Sequence, residues 1–136
     1  MFETFDHTAD LGLRVKAPQL DELFVEAARG LMSILVDNTD SIQAVQSEEL
    51  QIEGSEREYL FFDWLNELLY RFEATQMVYS KFQLQFDDIG IHATIKGERL
   101  DRRRHILSRE VKAITYHGLK VEESSSGWLA EVIVDI

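Results

Sequence analysis

The residues best equipped for chemistry stand at the two ends of the chain. It opens "MFETFDHTADLGLRVKA" and closes "WLAEVIVDI". In the first stretch Asp6, His7 and Asp10 interrupt an alternating apolar run, and in the second Asp135 stands one residue before Ile136. Carboxylates, main-chain carbonyls and a terminal carboxylate are the oxygen ligands that Ca²⁺ and Mg²⁺ prefer. His7 would extend the choice to Mn²⁺ or Zn²⁺. Two aspartates do not by themselves specify such a site, and the spacing is not that of an EF-hand loop. "DHTAD" also reads as turn chemistry, with Asp and Thr side chains bonding nearby amides. Asp135 also reads as an exposed residue at a frayed strand end.

A second candidate is "DRRRHILSR", which gathers Arg102, Arg103, Arg104 and Arg109 around His105. Arginine presents a planar fork to phosphate oxygens, so these residues, with Lys112 just beyond, are candidates for a partner or phosphate contact. The plain alternative is a solvated loop. Asp63 and Glu67 are spaced i, i+4 and share a helix face, which reads as the solvent side. The four histidines, His7, His92, His105 and His117, form no H-E-x-x-H or other ligand pair at helical spacing. There is no phosphate-binding glycine loop and no G-x-S-x-G.

Composition narrows the field. The chain has 136 residues, 45% of them hydrophobic, enough for one domain (residues 1–136) with a substantial core. It carries 25 acidic and 14 basic residues, a net charge of −11. Such a surface repels a phosphate backbone and suits a cation or a basic protein partner better. The absence of cysteine removes disulfides, thiol catalysis and Cys-ligated metals. Neither a signal peptide nor an apolar run near the ~20 residues of a membrane span is visible, so a cytoplasmic protein is expected.

The elements that must position these residues follow from periodicity. "FETF" and "LGLRVKA" alternate and read as strands on either side of "DHTAD". Leu20, Leu23, Phe24, Ala27, Leu31 and Leu35 recur at helical spacing, with Pro18 just ahead and Asp21 and Glu22 in the first turn. "SIQAVQSEELQIEG" reads as one strand or two short ones. A longer helix follows, with Ser55 and Glu58 as a capping box and an apolar face from Leu60 to Phe72. "VYSKFQLQFDD" and "IGIHATIKGE" form a hairpin through Asp87, Asp88 and Gly90. "LDRRRHILSR" is a loop or a single helical turn. "EVKAITYHGLKVEE" and "GWLAEVIVDI" are strands around the loop "ESSSGW". In the closing strand Trp128, Ala130, Val132, Val134 and Ile136 share the core face, and Asp135 points away from it. The expected fold class is α+β: a single two-layer domain, with a mixed β-sheet of about six or seven strands and two main helices packed on one face.

Four fragments in order, "FDHTADLGLRV", "WLNELLY", "GE..D..RH....EVKAITYH.L.V" and the closing "VIVDI", resemble the archease family from end to end. The resemblance implies a non-catalytic activator of RtcB-type RNA ligases, which join 2′,3′-cyclic phosphate or 3′-phosphate ends to 5′-hydroxyl ends using GTP and a divalent metal, in tRNA splicing and RNA repair. An archease promotes guanylylation of the ligase and its multiple turnover. The resemblance also implies a divalent-cation site at the converged chain ends, with Asp10, Asp135 and Ile136 as ligands and Asp6 and His7 supporting them. Ca²⁺ is the cation expected in vitro, with Mg²⁺ or Mn²⁺ as alternatives, and no organic cofactor is implied. Two rivals remain at this stage. One is a stand-alone metal-dependent phosphoester hydrolase using His7 or His105 as base and Arg102 to Arg104 on phosphate. The other is a general chaperone-like module with a structural ion.

Overall fold

The computed structural model describes residues 1–136. In chain order the elements are β1 (Phe2–His7), β2 (Asp10–Ala17), α1 (Leu20–Leu35), a 3₁₀ turn (Thr39–Ser41), β3 (Gln46–Glu53), α2 (Arg57–Thr75), β4 (Met77–Phe86), β5 (Gly90–Arg99), β6 (Ala113–Ile114), β7 (Lys120–Ser124) and β8 (Gly127–Asp135). They form two sheets. One runs β1-β2-β8, with β6 and β7 both along the far edge of β8; the other runs β3-β5-β4.

The α+β class is as expected, but the single mixed sheet of six or seven strands is not. There are eight strands in two sheets, and every strand pair is antiparallel. The reason lies in the β3–α2–β4 connection. Both β3 and β4 run antiparallel to β5, so they run parallel to each other and need α2 as a crossover. The short Asp87–Ile89 turn then returns β5 between them, so no parallel pair forms. Nor do the two helices cover one face of one sheet. α1 packs on β2 and β1 of the first sheet and on β4 of the second, while α2 touches β6 and β7 as well as β3, β4 and β5. One hydrophobic cluster of 33 buried residues takes side chains from both sheets and both helices, which explains why neither helix belongs to one layer.

On α1 the residues Leu23, Phe24, Ala27 and Leu31 are fully buried, as the helical period requires. On α2 the same holds for Phe61, Trp64, Leu65 and Leu68. The Trp64 indole N–H donates to the Phe24 carbonyl at 2.8 Å, which satisfies a donor that burial would otherwise strand. The Ser55–Glu58 capping box does not form. The N-cap is Glu56, one residue later, and no side chain caps the helix; Leu60 N–H makes the first turn's bond to Glu56 O at 3.0 Å.

The Asp87 carboxylate accepts the amides of Ile89 and Gly90 at 2.8 and 2.9 Å, closing the β4–β5 hairpin. Those bonds hold its pKa below the usual carboxylate value. The "ESSSGW" loop becomes a two-residue turn in which Ser124 pairs with Gly127.

Candidate functional site

The apparent interruption at "DHTAD" is a two-residue hairpin turn, Thr8–Ala9. β1 continues through Asp6 and His7, and β2 starts at Asp10, with His7 paired to Asp10. Thr8 holds φ at +48°, a left-handed value that a β-branched residue rarely adopts. β2 pairs with β8 from Leu11↔Val134 to Ala17↔Trp128. Continued by one residue, that register sets Asp10 opposite Asp135. On its other side Asp135 pairs with Ala113, and its carbonyl accepts the Lys112 N–H at 2.7 Å. The end of β8 is therefore held inside the ladder, and Ile136 packs on the hydrophobic core.

Residues directly across antiparallel strands share a face. His7, Asp10 and Asp135 thus form one row across β1, β2 and β8, on the side opposite the core residues Leu11, Val132 and Val134. Two parallel rows stand beside it: Phe5–Gly12–Ile133, then Glu3–Arg14–Glu131. In the last row Arg14 donates to Glu131 at 2.5 Å and to Glu3 at 3.1 Å, and its guanidinium lies 4.6 Å over the Phe5 ring. The Arg14 hydrogen bond holds the Glu131 carboxyl below its usual range. Phe5 in turn lies flat over Gly12, where a Cβ would come within 2.2 Å of the ring.

His7 meets His117 edge to face, with ring centroids 5.2 Å apart. Its Nδ1 is buried without a hydrogen-bond partner, the one buried side-chain nitrogen or oxygen so placed. A buried polar atom without a protein partner is met by water, by an ion or by local strain. The donors at this sheet end, hard oxygen from Asp10, Asp135 and the Ile136 main chain and an unpartnered imidazole nitrogen, are of the types that divalent cations take. No group of three or more His, Asp or Glu side chains converges here or elsewhere. The remaining positions around such a cation would fall to main-chain oxygen, water or a partner molecule. Asp6 is exposed and lies on the opposite face of β1 from His7.

The arginine cluster divides. His105 is buried, and its Nδ1 accepts the Asp101 N–H at 2.9 Å, which places the proton on Nε2, 3.0 Å from Glu98 Oε2. Glu98 is also buried, accepts the Gln43 N–H at 2.6 Å and is hydrogen-bonded by Arg104. Burial pushes the Glu98 pKa up, but Arg104, the Gln43 amide and His105 outweigh it, and the carboxyl sits below its usual range. Arg104 and His105 therefore fasten residues 100–109 to β5 and to the segment after the 3₁₀ turn. Arg102, Arg103 and Lys112 are exposed, with Arg103 reaching only Asp101, at 3.3 Å. Asp63 is exposed, as expected, and Glu67 pairs with Arg71 at 2.7 Å. The residue that sequence reading did not connect to the site is His117, since a contact so distant along the chain leaves no local signal.

Fold and site together define a small acidic α+β domain whose first and last strands bring carboxylates to one sheet end. The family model described as the Archease protein family matches residues 2–136. The chain belongs to the archease family. The relatives called Protein archease from Methanopyrus kandleri and Saccharolobus islandicus are each 35% identical to it, over 99% of this chain and 99% and 98% of their own lengths. The solution structure of protein 1598 of Methanobacterium thermoautotrophicum superposes with a TM-score of 0.81 at 31% identity, covering 99% of this chain and 98% of that one. A Thermotoga maritima crystal structure, described as an archease and possible chaperone, matches with a TM-score of 0.66 at 22% identity over 100% and 98% of the two chains, a likeness of fold alone. None of these descriptions states a catalytic activity. No helix is long and apolar enough to cross a membrane.

Proposed function

We propose that this chain activates an RtcB-type RNA ligase in tRNA splicing and RNA repair, promoting the ligase's guanylylation and its multiple turnover. The observation that carries this reading is the β2–β8 register, which sets Asp10 beside Asp135 on one face of the sheet. Asp10, Asp135 and the Ile136 main chain hold a divalent cation there, and His7 supports them from β1. When bound, the cation supplies positive charge against nucleotide phosphate. The protein's own residues set where that charge stands, because the Asp135 carbonyl is tied to Lys112 and Ile136 is anchored in the core. The net charge of −11 favours docking against the basic cleft of a nucleotide- and RNA-binding ligase in the cytoplasm and disfavours tight binding to RNA itself.

Single-turnover guanylylation and RNA joining by the ligase of the same organism test the proposal. Wild type stimulates both steps. Asp10→Ala and Asp135→Ala abolish the stimulation while circular dichroism is unchanged. Full stimulation by either folded variant overturns the metal-site mechanism, and no stimulation by wild type overturns the function. The description of the Thermotoga relative as a possible chaperone favours a second reading, a module that protects many proteins. That reading predicts suppression of aggregation of unrelated proteins, unaltered in both variants.

A further inference from the structure

Away from the carboxylate row, α2 and the β6–β7 loop build an exposed aromatic surface. Tyr116 lies flat on Phe62, with ring centroids 4.0 Å apart and planes 4° apart, and Tyr59 meets Tyr116 edge to face at 6.0 Å. Tyr59 and Tyr116 are each 55% exposed. Phe62 covers one face of Tyr116, so that exposure belongs to its other face and its edge. An open concavity of about 670 Å³ is lined by Tyr59, Tyr116, Leu119, Glu56 and Glu58. Neither glutamate takes part in an ion pair or a side-chain hydrogen bond. The nearest cation on α2, Arg57, is committed elsewhere, stacked 4.9 Å over Trp128.

We propose that this concavity receives an arginine side chain from a basic segment of the partner protein. The guanidinium is planar, stacks on aromatic faces and pairs with carboxylates through two parallel N–H donors. The tyrosines offer the faces and Glu56 and Glu58 the carboxylates. Tyr116 is already fixed by Phe62, so little ordering is required on binding. The place of the pocket also fits. Tyr116 is followed by His117, which touches His7 in the carboxylate row, so the loop that carries the pocket's aromatic also reaches that row. The pocket's chemistry stands on its own geometry; only the identification of the partner as the ligase rests on the proposed function.

Two measurements test it. In the first, a glycine–arginine repeat peptide and its citrulline counterpart are titrated into the protein by NMR. The citrulline peptide keeps the shape and loses the charge. Shifts of the Tyr59 and Tyr116 ring signals with arginine only support the pocket; equal shifts, or none, overturn it. In the second, affinity for the ligase is measured for wild type, for Glu56→Gln/Glu58→Gln and for Tyr59→Ala, all surface changes that leave the core intact. A roughly tenfold loss, shrinking as salt is raised, is expected from losing one stacked and paired guanidinium. Unchanged affinity in both variants overturns the docking role. Failure of wild type to bind the ligase sinks the proposed function instead, and the peptide titration then decides the pocket alone.

Discussion

His105 Nε2 lies 3.0 Å from Glu98 Oε2, and both side chains are buried. The pair, with Arg104 and the Gln43 amide, is the polar anchor of the loop between the two sheets. Glu98→Gln keeps the shape and removes the charge, leaving Arg104 with Asp101, 3.7 Å away, as its one carboxylate partner. A loss of about 2–3 kcal/mol of stability is expected in denaturant titration. Unchanged stability would show that the anchor contributes nothing.

The same carboxyl makes stability depend on acid. The native pKa of Glu98 lies below its unfolded value of 4.5, and that of Glu131 does so as well. Below pH 4.5 the unfolded chain therefore binds more protons than the native one. The two contributions are complete above that pH and are lost as pH falls through the lowered native values. The unfolding midpoint should drop on acidification below pH 4.5, and less steeply in Glu98→Gln.

Cation binding should be visible without the ligase. At a hundredfold excess over its dissociation constant Ca²⁺ stabilises the native chain by about 2.7 kcal/mol, a rise of several degrees in Tm. Asp10→Asn and Asp135→Asn abolish that rise. Without cation each variant is slightly more stable than wild type, since like charges directly opposite on paired strands repel. Isothermal titration and thermal melts with and without chelator check both halves.

Gly97→Ala probes the second sheet. A Cβ at this position falls 1.9 Å from the Val78 carbonyl oxygen and 2.7 Å from Tyr79 Cα, both backbone atoms, beside the register shift between Tyr79 and Lys81. β4 and β5 must part to admit it, at a cost of about 3 kcal/mol. A variant as stable as wild type would contradict the packing described.

Thr8→Gly should raise stability. Glycine adopts φ near +48° without the steric penalty that threonine carries there, a relief of about 1 kcal/mol. A fall in the melting temperature would show that the threonine hydroxyl contributes more than the backbone loses.

Local features were legible in the sequence because their causes are local. The helical spacing of Leu23, Phe24, Ala27 and Leu31, the turn at Asp87 and the serine turn before Trp128 all lie where the pattern put them. Asp135 was readable as facing away from the core because alternation in one strand suffices for that. Two sheets instead of one were not readable, since that outcome depends on β5 returning between β3 and β4. The four arginines and His105 look alike in sequence, yet His105 is buried and the exposed Arg104 reaches in to Glu98, because that residue supplies a buried charge from β5. The Ser55–Glu58 motif misleads by one residue, because the helix begins after Glu56 and puts both out of register. The Tyr59–Phe62 pair has the i, i+3 spacing of a shared helix face, but Tyr116 joins it only through tertiary packing.

β8 is the final element in chain order and yet lies inside its sheet, with β2 on one edge and β6 and β7 on the other. A growing chain on the ribosome cannot close this sheet from its first hairpin onward. The β2 edge stays unpaired, an open template for other strands, until the last strand is made. Translation, at ~5–20 residues per second, thus leaves a window of several seconds in which the half-built sheet is sticky. Asp10 waits without Asp135 for the same interval, so the carboxylate row cannot assemble before the sheet it belongs to.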